Sequence, residues 1–337
     1  MTTAPVTARR DDIDALRGLA VLLMVMVHVA ATATPPSVAQ TTGIGYLVAG
    51  LGGLAAPLFV VLAGWGAAGK HRPWASRLRR AALLLCAQVV VNLSAPHLYD
   101  PFTPGVLSLF ALLALVPWTH PNQHVQRCTR AVALGAPLVI VLAPALQGAS
   151  SWDARIAVDD LLGLASHLLL TGLYPLVPWC GLAWLGVMLR VHGPRLLRPG
   201  IAAVAAGLIY CVVQLVRSYQ TGVPWAAPTS PGGQALMTFF PANGPFLIAA
   251  GTGVLLLWAF GTWIARAPSL TALGRLSLTV YVAHTPMLWA LHRFVDAPSV
   301  AFSTTLVLVC TFMWWPLAAY WPERWQRWSL ESALSKA

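Results

Sequence analysis

Long apolar runs separated by short polar connections dominate the chain. Runs such as 19–33 and 246–260 are too continuous for the alternating pattern of membrane-barrel strands, and they favour helices. Ten apolar segments with charged or chain-breaking flanks can be drawn, at 15–34, 46–69, 80–96, 104–118, 130–148, 174–190, 199–217, 243–265, 272–293 and 299–321. The pattern therefore predicts an all-α, polytopic membrane bundle of about ten transmembrane helices.

Two segments leave the number of spans open. The run at 104–118 is short for a membrane crossing, and 158–172 is apolar enough for a re-entrant or interfacial helix. Nine or eleven spans therefore remain alternatives to ten. No stretch resembles a separate soluble domain, so we treat 1–337 as a single integral membrane domain.

Composition supports a lipid environment. The chain is 58% hydrophobic and only 9% charged, whereas soluble domains carry roughly 25% charged residues. A water-soluble surface cannot be built from so few charges, so we expect a multi-pass protein of the cell membrane. Met1 to Arg10 is polar and acidic residues open the first apolar run, so we expect no cleavable signal peptide there.

The distribution of basic residues predicts the orientation. With a cytoplasmic N-terminus, 18 of the 21 Lys and Arg residues fall on the cytoplasmic side, and only Arg155, Arg217 and Arg293 fall outside. The chain would then have cytoplasmic tails at 1–12 and 323–337. The net charge of +11 is accordingly interpreted as a topology signal, and we expect lipids rather than nucleic acid as its partners.

Recognisable signatures of soluble enzymes are absent from the sequence. It contains no phosphate-binding glycine loop, no nucleophile elbow and no Cys and His set with metal-ligand spacing. The five cysteines are scattered, mostly within apolar segments, and are interpreted as small membrane-embedded residues. Any catalysis must therefore use residues inside the membrane, and we predict neither a metal nor a permanently bound cofactor.

Two predicted spans each carry an arginine followed by a histidine. Arg17 and His28 are eleven residues apart, which places them about 16 Å apart on nearly the same helical face. Arg275 precedes His284 by nine residues, or about 13 Å, and Pro286 would free a backbone carbonyl beside that histidine. Ionisable groups inside a membrane are costly, so these four residues are functional candidates.

Simpler interpretations stand beside these. In the simpler interpretation, Arg17 only reaches towards the lipid headgroups and His28 only hydrogen-bonds a neighbouring helix. The second span is then only a kinked packing helix. The basic connection 70–80 either meets the phosphates of a substrate or binds anionic lipid. Asp159, Asp160, His167 and Trp179, near the predicted outer face, either bind a sugar-like acceptor or serve solvation and an interfacial aromatic belt.

The stretch Asp14-Ala-Leu-Arg-Gly-Leu-Ala, with His28 eleven residues after Arg17, resembles the opening motif of transmembrane acyltransferases, including the acyltransferase 3 family. The segment from Leu273 to Pro286 is similar to a late helix of that group. Tyr174-Pro-Leu-Val-Pro-Trp-Cys-Gly181 looks like bacterial relatives of heparan-alpha-glucosaminide N-acetyltransferase. Those relatives usually have asparagine where this chain has His28.

The resemblance implies transfer of an acyl group, in the first instance acetyl, from cytoplasmic acyl-CoA to a hydroxyl or amine of a glycan or lipid-linked acceptor. It implies catalytic roles for His28, Arg17 and His284, with His28 acting either as a base or as an acyl-carrying nucleophile. We expect CoA to be held by basic side chains, namely Arg17, Arg275, Arg77, Arg79 and Arg80. A proton-coupled transporter or lipid flippase, and an inactive assembly subunit, are the alternative functions.

Overall fold

The computed structural model describes residues 10–35, 43–69, 71–227, 235–321 and 323–337. Within these ranges the side chains of 194, 196, 197, 227, 323 and 324 are not described. Arg9 and Lys70, which contribute to the predicted cytoplasmic charge, lie outside the described residues. The predicted all-α class is confirmed.

The helices are α1 (Asp11–Thr32), α2 (Gly43–Gly52), α3 (Ala55–Ala67), α4 (Trp74–Ser94), α5 (Val106–Leu115), α6 (Gln123–Leu142), α7 (Asp153–Ile156), α8 (Leu161–Ser166), α9 (Leu176–His192), α10 (Leu197–Thr221), α11 (Gly244–Ala259), α12 (Gly261–Ile264), α13 (Pro268–Gly274), α14 (Ser277–Phe294), α15 (Val300–Phe312), α16 (Trp314–Ala319), α17 (Glu323–Gln326) and α18 (Leu330–Lys336). Tight helical turns cover Pro144–Gln147, His167–Thr171 and Gly193–Leu196. Two short strands, β1 (Ala226–Ala227) and β2 (Met237–Thr238), pair in parallel.

Five described stretches are long and apolar enough to cross a membrane: Asp11–Thr32, Gly43–Ala67, Gln123–Leu142, Arg198–Thr221 and Val300–Ala319. The pair formed by 161–171 and α9, bent by 46°, would make a sixth. The predicted count of about ten is therefore not supported by helix length and composition. Each remaining predicted segment does contain a helix, but α5 and α11 are short, and the first turns of α4 carry three arginines that lower its hydropathy.

Helix α1 lies at the centre of the fold, where it contacts α3, α13, α14 and α15. Its crossing with α13 depends on two glycines. A methyl group added at Gly274 would lie 1.7 Å from the carbonyl oxygen of Asp14, and one added at Gly18 would lie 2.1 Å from that of Leu270. Only hydrogen side chains fit between backbones this close. The two backbones therefore approach closely just before α14 begins, which brings the predicted Arg/His helices together.

The C-terminal segment is folded against the helices rather than extended as a tail. The carboxylate of Glu331 accepts hydrogen bonds from the amides of Leu278 and Thr279 at 2.5 and 3.1 Å. A carboxylate at this position satisfies free amides of the first turn of α14 and interacts favourably with the helix dipole. Arg80 of α4 donates to the carbonyl oxygen of Leu334. Helix α18 therefore connects α4 with α14 at the end of the bundle that holds Arg275.

Candidate active site

His28 and His284 meet between α1 and α14. Nδ1 of His28 lies 2.8 Å from Nε2 of His284, and the two rings are nearly parallel, with centroids 5.1 Å apart. His284 is fully buried, whereas His28 is partly exposed and lines a cavity. The histidines of the two Arg/His patterns, 256 positions apart in the sequence, are thus in direct contact.

The hydrogen bonds of His284 determine which ring nitrogens carry protons. Nδ1 of His284 lies 2.5 Å from the carbonyl oxygen of Tyr281, and a carbonyl oxygen only accepts. Nδ1 must therefore carry a proton and donate it, so the neutral ring of His284 has its lone pair on Nε2. That lone pair accepts the Nδ1–H of His28. Neutral His28 consequently has its own lone pair on Nε2, which has no hydrogen-bond partner among the described residues.

The backbone of α14 around His284 is adapted to this arrangement. Pro286 lies inside the helix and supplies no amide hydrogen, so the carbonyl oxygen of Val282 loses its usual helical donor. The hydroxyl of Thr285 donates to that oxygen instead, at 2.9 Å. The hydroxyls of Thr285 and Ser94 are 2.7 Å apart. Helix α14 is thereby held to the end of α4 directly beside the histidine pair.

One cavity of about 1300 Å³ runs past His28. At one end, which we name the basic end, it is lined by five arginines: Arg17, Arg72, Arg77, Arg80 and Arg275. At the other end, which we name the aromatic end, its wall includes Tyr99, Trp152, Tyr174, Trp225, Phe239 and Phe240, with His97 and His292. Arg17 and His28 both line this cavity, as their spacing on one helical face predicts.

The basic end is organised around the buried carboxylate of Asp14. Arg17 donates to Asp14 at 3.0 Å. Nε of Arg275 lies 3.7 Å from the other oxygen of Asp14, and its NH2 lies 3.1 Å from Asp11. A nearly buried carboxylate between two guanidinium groups fixes their positions through charge-assisted bonds. Two arginines from different helices are in this way held side by side, and both line the cavity.

Arg77 and Arg80 are held mainly by backbone carbonyls. Arg77 is buried and donates to the carbonyl oxygens of Arg72 and Thr119, at 3.1 and 3.2 Å. These bonds connect the start of α4 with the segment after α5. Arg80 bonds to Leu334, as described above. Both residues therefore stabilise the loops around the basic end while keeping their charge at the cavity wall.

Aromatic rings form a continuous network at the aromatic end. Trp152 contacts Tyr99 and Phe240, with ring centroids 6.1 and 5.6 Å away. Tyr174 contacts Phe239 and Phe240, at 5.9 and 5.5 Å. The indole nitrogen of Trp152 donates to the carbonyl oxygen of Leu98 at 3.0 Å. The loops after α4, before α9 and before α11 thus meet in one apolar wall.

A second histidine pair lies at the aromatic end. His97 stacks on His292 with centroids 4.2 Å apart and an interplanar angle of 7°. Both ring nitrogens of His97 are buried and have no hydrogen-bond partner within the part of the chain that the structure describes. Burial, and secondarily the neighbouring His292, lower the pKa of His97 below its ordinary value. His97 is therefore neutral at neutral pH.

Five of the predicted site residues lie away from the cavity wall. Arg79 is exposed on α4, because a residue two positions from Arg77 points to a different face of a helix. Asp159 and Asp160 are exposed, and Asp160 accepts a hydrogen bond from the amide of Gly163 at 2.6 Å, which caps α8. For these three residues, the predicted contacts with CoA or acceptor are not supported by the geometry.

His167 and Trp179 are buried for structural reasons. His167 bonds to the hydroxyl of Thr171 and to the carbonyl oxygen of Ala157, at 2.7 and 2.9 Å, and so holds the turn before α9. Trp179 is fully buried behind Tyr174, with ring centroids 5.2 Å apart. Trp179 supports the aromatic wall from behind and, like His167, is not part of the cavity lining.

Sequence reasoning missed several residues that line the cavity or hold its lining residues in place. Asp14 was interpreted only as part of a motif, although a carboxylate one turn before Arg17 is a signal for an ion pair. His97 and His292 carry no local pattern that pairs them. Tyr281 contributes a backbone carbonyl, which no sequence pattern reveals. The aromatic wall joins Tyr99, Trp152 and residues 239–240 across three loops, which only the fold brings together.

The fold and the site define a helical membrane protein with a polar, histidine-containing cavity between an arginine-rich end and an aromatic end. The model of the family "Heparan-alpha-glucosaminide N-acetyltransferase, catalytic" matches residues 9–193, more than half of the chain. The chain belongs to this family, which indicates an acetyltransferase-type enzyme. The matched region ends with α9, so Arg275 and His284 lie beyond it. No curated protein matches the chain closely enough to be reported as a relative.

Proposed function

We propose that the protein is a membrane-bound acyltransferase that moves an acyl group, in the first instance acetyl, from acyl-CoA to a hydroxyl or amine of a glycan or lipid-linked acceptor. The observation that carries this proposal is the position of His28. Its Nε2 carries a lone pair in a cavity that extends from a cluster of five arginines to an aromatic wall. Family membership supports acetyl transfer as the reaction class.

The basic end suits the donor. CoA carries several phosphate charges, and Arg side chains bind phosphate through paired, charge-assisted hydrogen bonds. Arg17 lies about 16 Å along α1 from His28, a span that the extended pantetheine arm of CoA can bridge. The thioester would then reach His28 while the nucleotide stays among the arginines.

His28 is suited to act as the general base. Nε2 takes the proton of the acceptor hydroxyl or amine, whose oxygen or nitrogen attacks the thioester carbonyl carbon. The C–S bond breaks, and the departing sulfur receives the proton from the His28 imidazolium to give free CoA. His284 accepts the Nδ1–H of His28 throughout, and it stabilises the positive charge that develops on that ring.

An acyl-histidine route uses the same geometry. The lone pair on Nε2 would attack the thioester carbonyl carbon, the C–S bond would break, and CoA would leave as the thiolate. The acceptor would then attack the acyl carbon, the bond from that carbon to Nε2 would break, and the acceptor's proton would pass to the freed Nε2 and from there to solvent or to the thiolate. The two routes differ in when CoA is released: the covalent route releases it before the acceptor reacts, and the general-base route releases it only with the acceptor. A burst of CoA release in the absence of acceptor, equal in amount to the enzyme, would indicate the covalent route.

In the membrane, we propose that the basic end faces the cytoplasm and the aromatic end faces outward, in agreement with the positive-inside distribution. The shorter helices α5 and α11, together with α4, α9 and α14, would complete a bundle of about ten spans with both termini cytoplasmic. The cell membrane is the proposed location. This orientation places the donor where acyl-CoA is made and the acceptor at the outer face.

The test is CoA release from labelled acetyl-CoA by the purified protein in lipid nanodiscs, with a panel of glycans and glycolipids as acceptors. Arg17→Gln should raise the KM for acetyl-CoA about tenfold, the scale of one lost charge-assisted contact. Arg79→Gln is the matched control, because Arg79 lies off the cavity, and its KM should stay within twofold. Failure of the native protein to release CoA with any acceptor would overturn the proposed function.

A further inference from the structure

The two ends of the cavity differ sharply in charge. Six formally charged side chains line the described wall of the cavity: Arg17, Arg72, Arg77, Arg80, Arg275 and Glu331. The five arginines belong to the basic end, and Glu331 belongs to the adjacent helix α18. At the aromatic end the described lining contains no Asp, Glu, Lys or Arg. Its ionisable groups are tyrosines and the stacked pair His97 and His292.

The loops that form the aromatic end also contain charged residues, but these do not line the cavity. Asp100 and Asp153 are exposed, although each is next to an aromatic residue of the wall. Arg155 is buried, but its guanidinium donates to the carbonyl oxygens of Thr171, Gly172 and Gln147, at 2.8 to 3.0 Å. It holds the loops together and is not part of the cavity lining. Within the described residues, no charged side chain therefore lines the aromatic end.

Two of the segments outside the described residues add no charge of their own. Residues 36–42 read Pro-Ser-Val-Ala-Gln-Thr-Thr, and residues 228–234 read Pro-Thr-Ser-Pro-Gly-Gly-Gln. Neither segment contains an ionisable side chain. Within the described wall, burial raises the pKa of Tyr99 to about 12, so this phenol stays neutral and can donate a hydrogen bond.

The polar groups that remain suit hydroxyls rather than ions. The two ring nitrogens of His97 and the indole nitrogen of Trp225 are buried without partners in the described ranges. A neutral imidazole offers one donor and one acceptor, and an indole offers one donor. Flat aromatic faces bind the apolar C–H face of a sugar ring, and single imidazole or indole nitrogens hydrogen-bond its hydroxyls. A sulfate or carboxylate here would lose water without gaining a cation.

We propose that the acceptor is a sugar ring that carries no anionic substituent, and that the aromatic end selects it by excluding sulfated and carboxylated rings. This inference rests on the proposed function and narrows its acceptor. It also separates this chain from an enzyme for a sulfated glycan, which needs cations along the acceptor site. The ring can belong to a free glycan or to a lipid-linked one, since both present the same chemistry.

The inference is tested with the purified protein in nanodiscs and acetyl-CoA, by comparing kcat/KM for matched acceptors. The acceptors are methyl glycosides of glucose, galactose, mannose and N-acetylglucosamine, with the glucuronide and the 6-sulfated glucoside as charged counterparts. We expect kcat/KM for the best neutral ring to be at least about 30-fold higher than kcat/KM for either charged ring. Dodecyl glycosides of the same sugars distinguish a lipid-linked acceptor, which would be preferred over the methyl glycoside, from a free one.

A variant with an added cation provides the reciprocal test. His292 is exposed and lines the aromatic end, so His292→Arg places a guanidinium there, and His292→Gln is the uncharged control. Relative use of the glucuronide should rise about tenfold in His292→Arg over His292→Gln. If His292→Arg does not fold, Leu98→Lys with Leu98→Met as control tests the same point.

Two outcomes separate the inference from the function on which it rests. Equal or higher kcat/KM for the glucuronide or the sulfated ring in the native protein would overturn the inference and leave acyl transfer intact. Absence of CoA release with every acceptor, including the panel of glycans and glycolipids used to test the proposed function, would overturn the proposed function itself. An unchanged preference in both cation variants would also contradict the inference, because charge would then not decide acceptor choice.

Discussion

Two histidine pairs connect α14 with other parts of the molecule, and they are held in different ways. His284 bonds to His28 and to a backbone carbonyl, which fixes the tautomer of both rings. His292, eight residues later, only stacks on His97, whose nitrogens have no partner in the part of the chain described. In the first pair, hydrogen bonds fix which nitrogen of His28 carries the lone pair, so this ring can act as a base. In the second pair, the nitrogens of His97 have no protein partner and are better suited to hydrogen-bond the hydroxyls of a ligand.

The first pair should show the largest effect on activity. His28→Ala removes the proposed base, and we expect kcat to fall about 1000-fold, within the range of general base catalysis. CoA release with the best acceptor measures it. His124→Ala is the control, because His124 is exposed on α6 and bonds only to its own helix turn. Normal turnover by a folded His28→Ala protein would exclude His28 as the catalytic residue.

His284 acts through His28, so its replacement should have a smaller effect. In His284→Leu the acceptor for the Nδ1–H of His28 is lost, and we expect kcat to fall about 100-fold from misorientation alone. In His284→Gln an amide oxygen can accept that hydrogen, so activity should return to within about tenfold of the native value. Equal losses in both variants would show that the hydrogen bond is not what matters.

The second pair should affect acceptor binding rather than the chemical step. His97→Phe preserves the stack on His292 but removes both nitrogens. We expect the KM for the acceptor to rise about threefold to tenfold, as for one or two lost hydrogen bonds, with kcat within about threefold. Steady-state kinetics at saturating acetyl-CoA separate the two constants. A fall in kcat comparable to that of His28→Ala would mean that the pairs do not differ in role.

The smallest expected effect concerns pH and stability. The pKa of His97 is lowered in the folded protein from 6.5, so the unfolded state binds more protons between the two pKa values. The stability linked to neutral His97 is thus fully present above about pH 6.5 and is lost as pH falls through the folded pKa. Thermal unfolding in detergent between pH 8 and pH 5 should show a smaller acid decrease of Tm in His97→Phe. An identical decrease would contradict this linkage.

Helical class and the Arg/His helices were predictable because they rest on local patterns. Continuous apolar runs define helices, and the eleven-residue spacing of Arg17 and His28 defines one face. These local patterns did not predict the direct contact of His28 with His284, since the contact depends on the close crossing of α1 and α13 at Gly18 and Gly274. The number of spans was less predictable, because α5 and α11 are short and α4 begins with arginines.

The residues predicted for the acceptor end do not line the cavity in the structure, and the reason is physical. Asp159, Asp160 and His167 were selected as polar groups near an aromatic residue, but polar side chains also cap helices and hold turns. Asp160 and His167 do this. The wall that replaces them consists of rings from loops distant in sequence, and contacts between loops depend on tertiary packing rather than on any local signal.

In the proposed mechanism, one cavity connects a donor at the basic end with an acceptor at the aromatic end. Proteoliposomes with acceptor trapped inside and labelled acetyl-CoA added only outside test this connection. In vesicles whose proteins expose the basic end outward, we expect label in the trapped acceptor, CoA released outside, and loss of both in His28→Ala. Absence of label from the trapped acceptor, with CoA released only when acceptor is also added outside, would contradict transfer through one cavity.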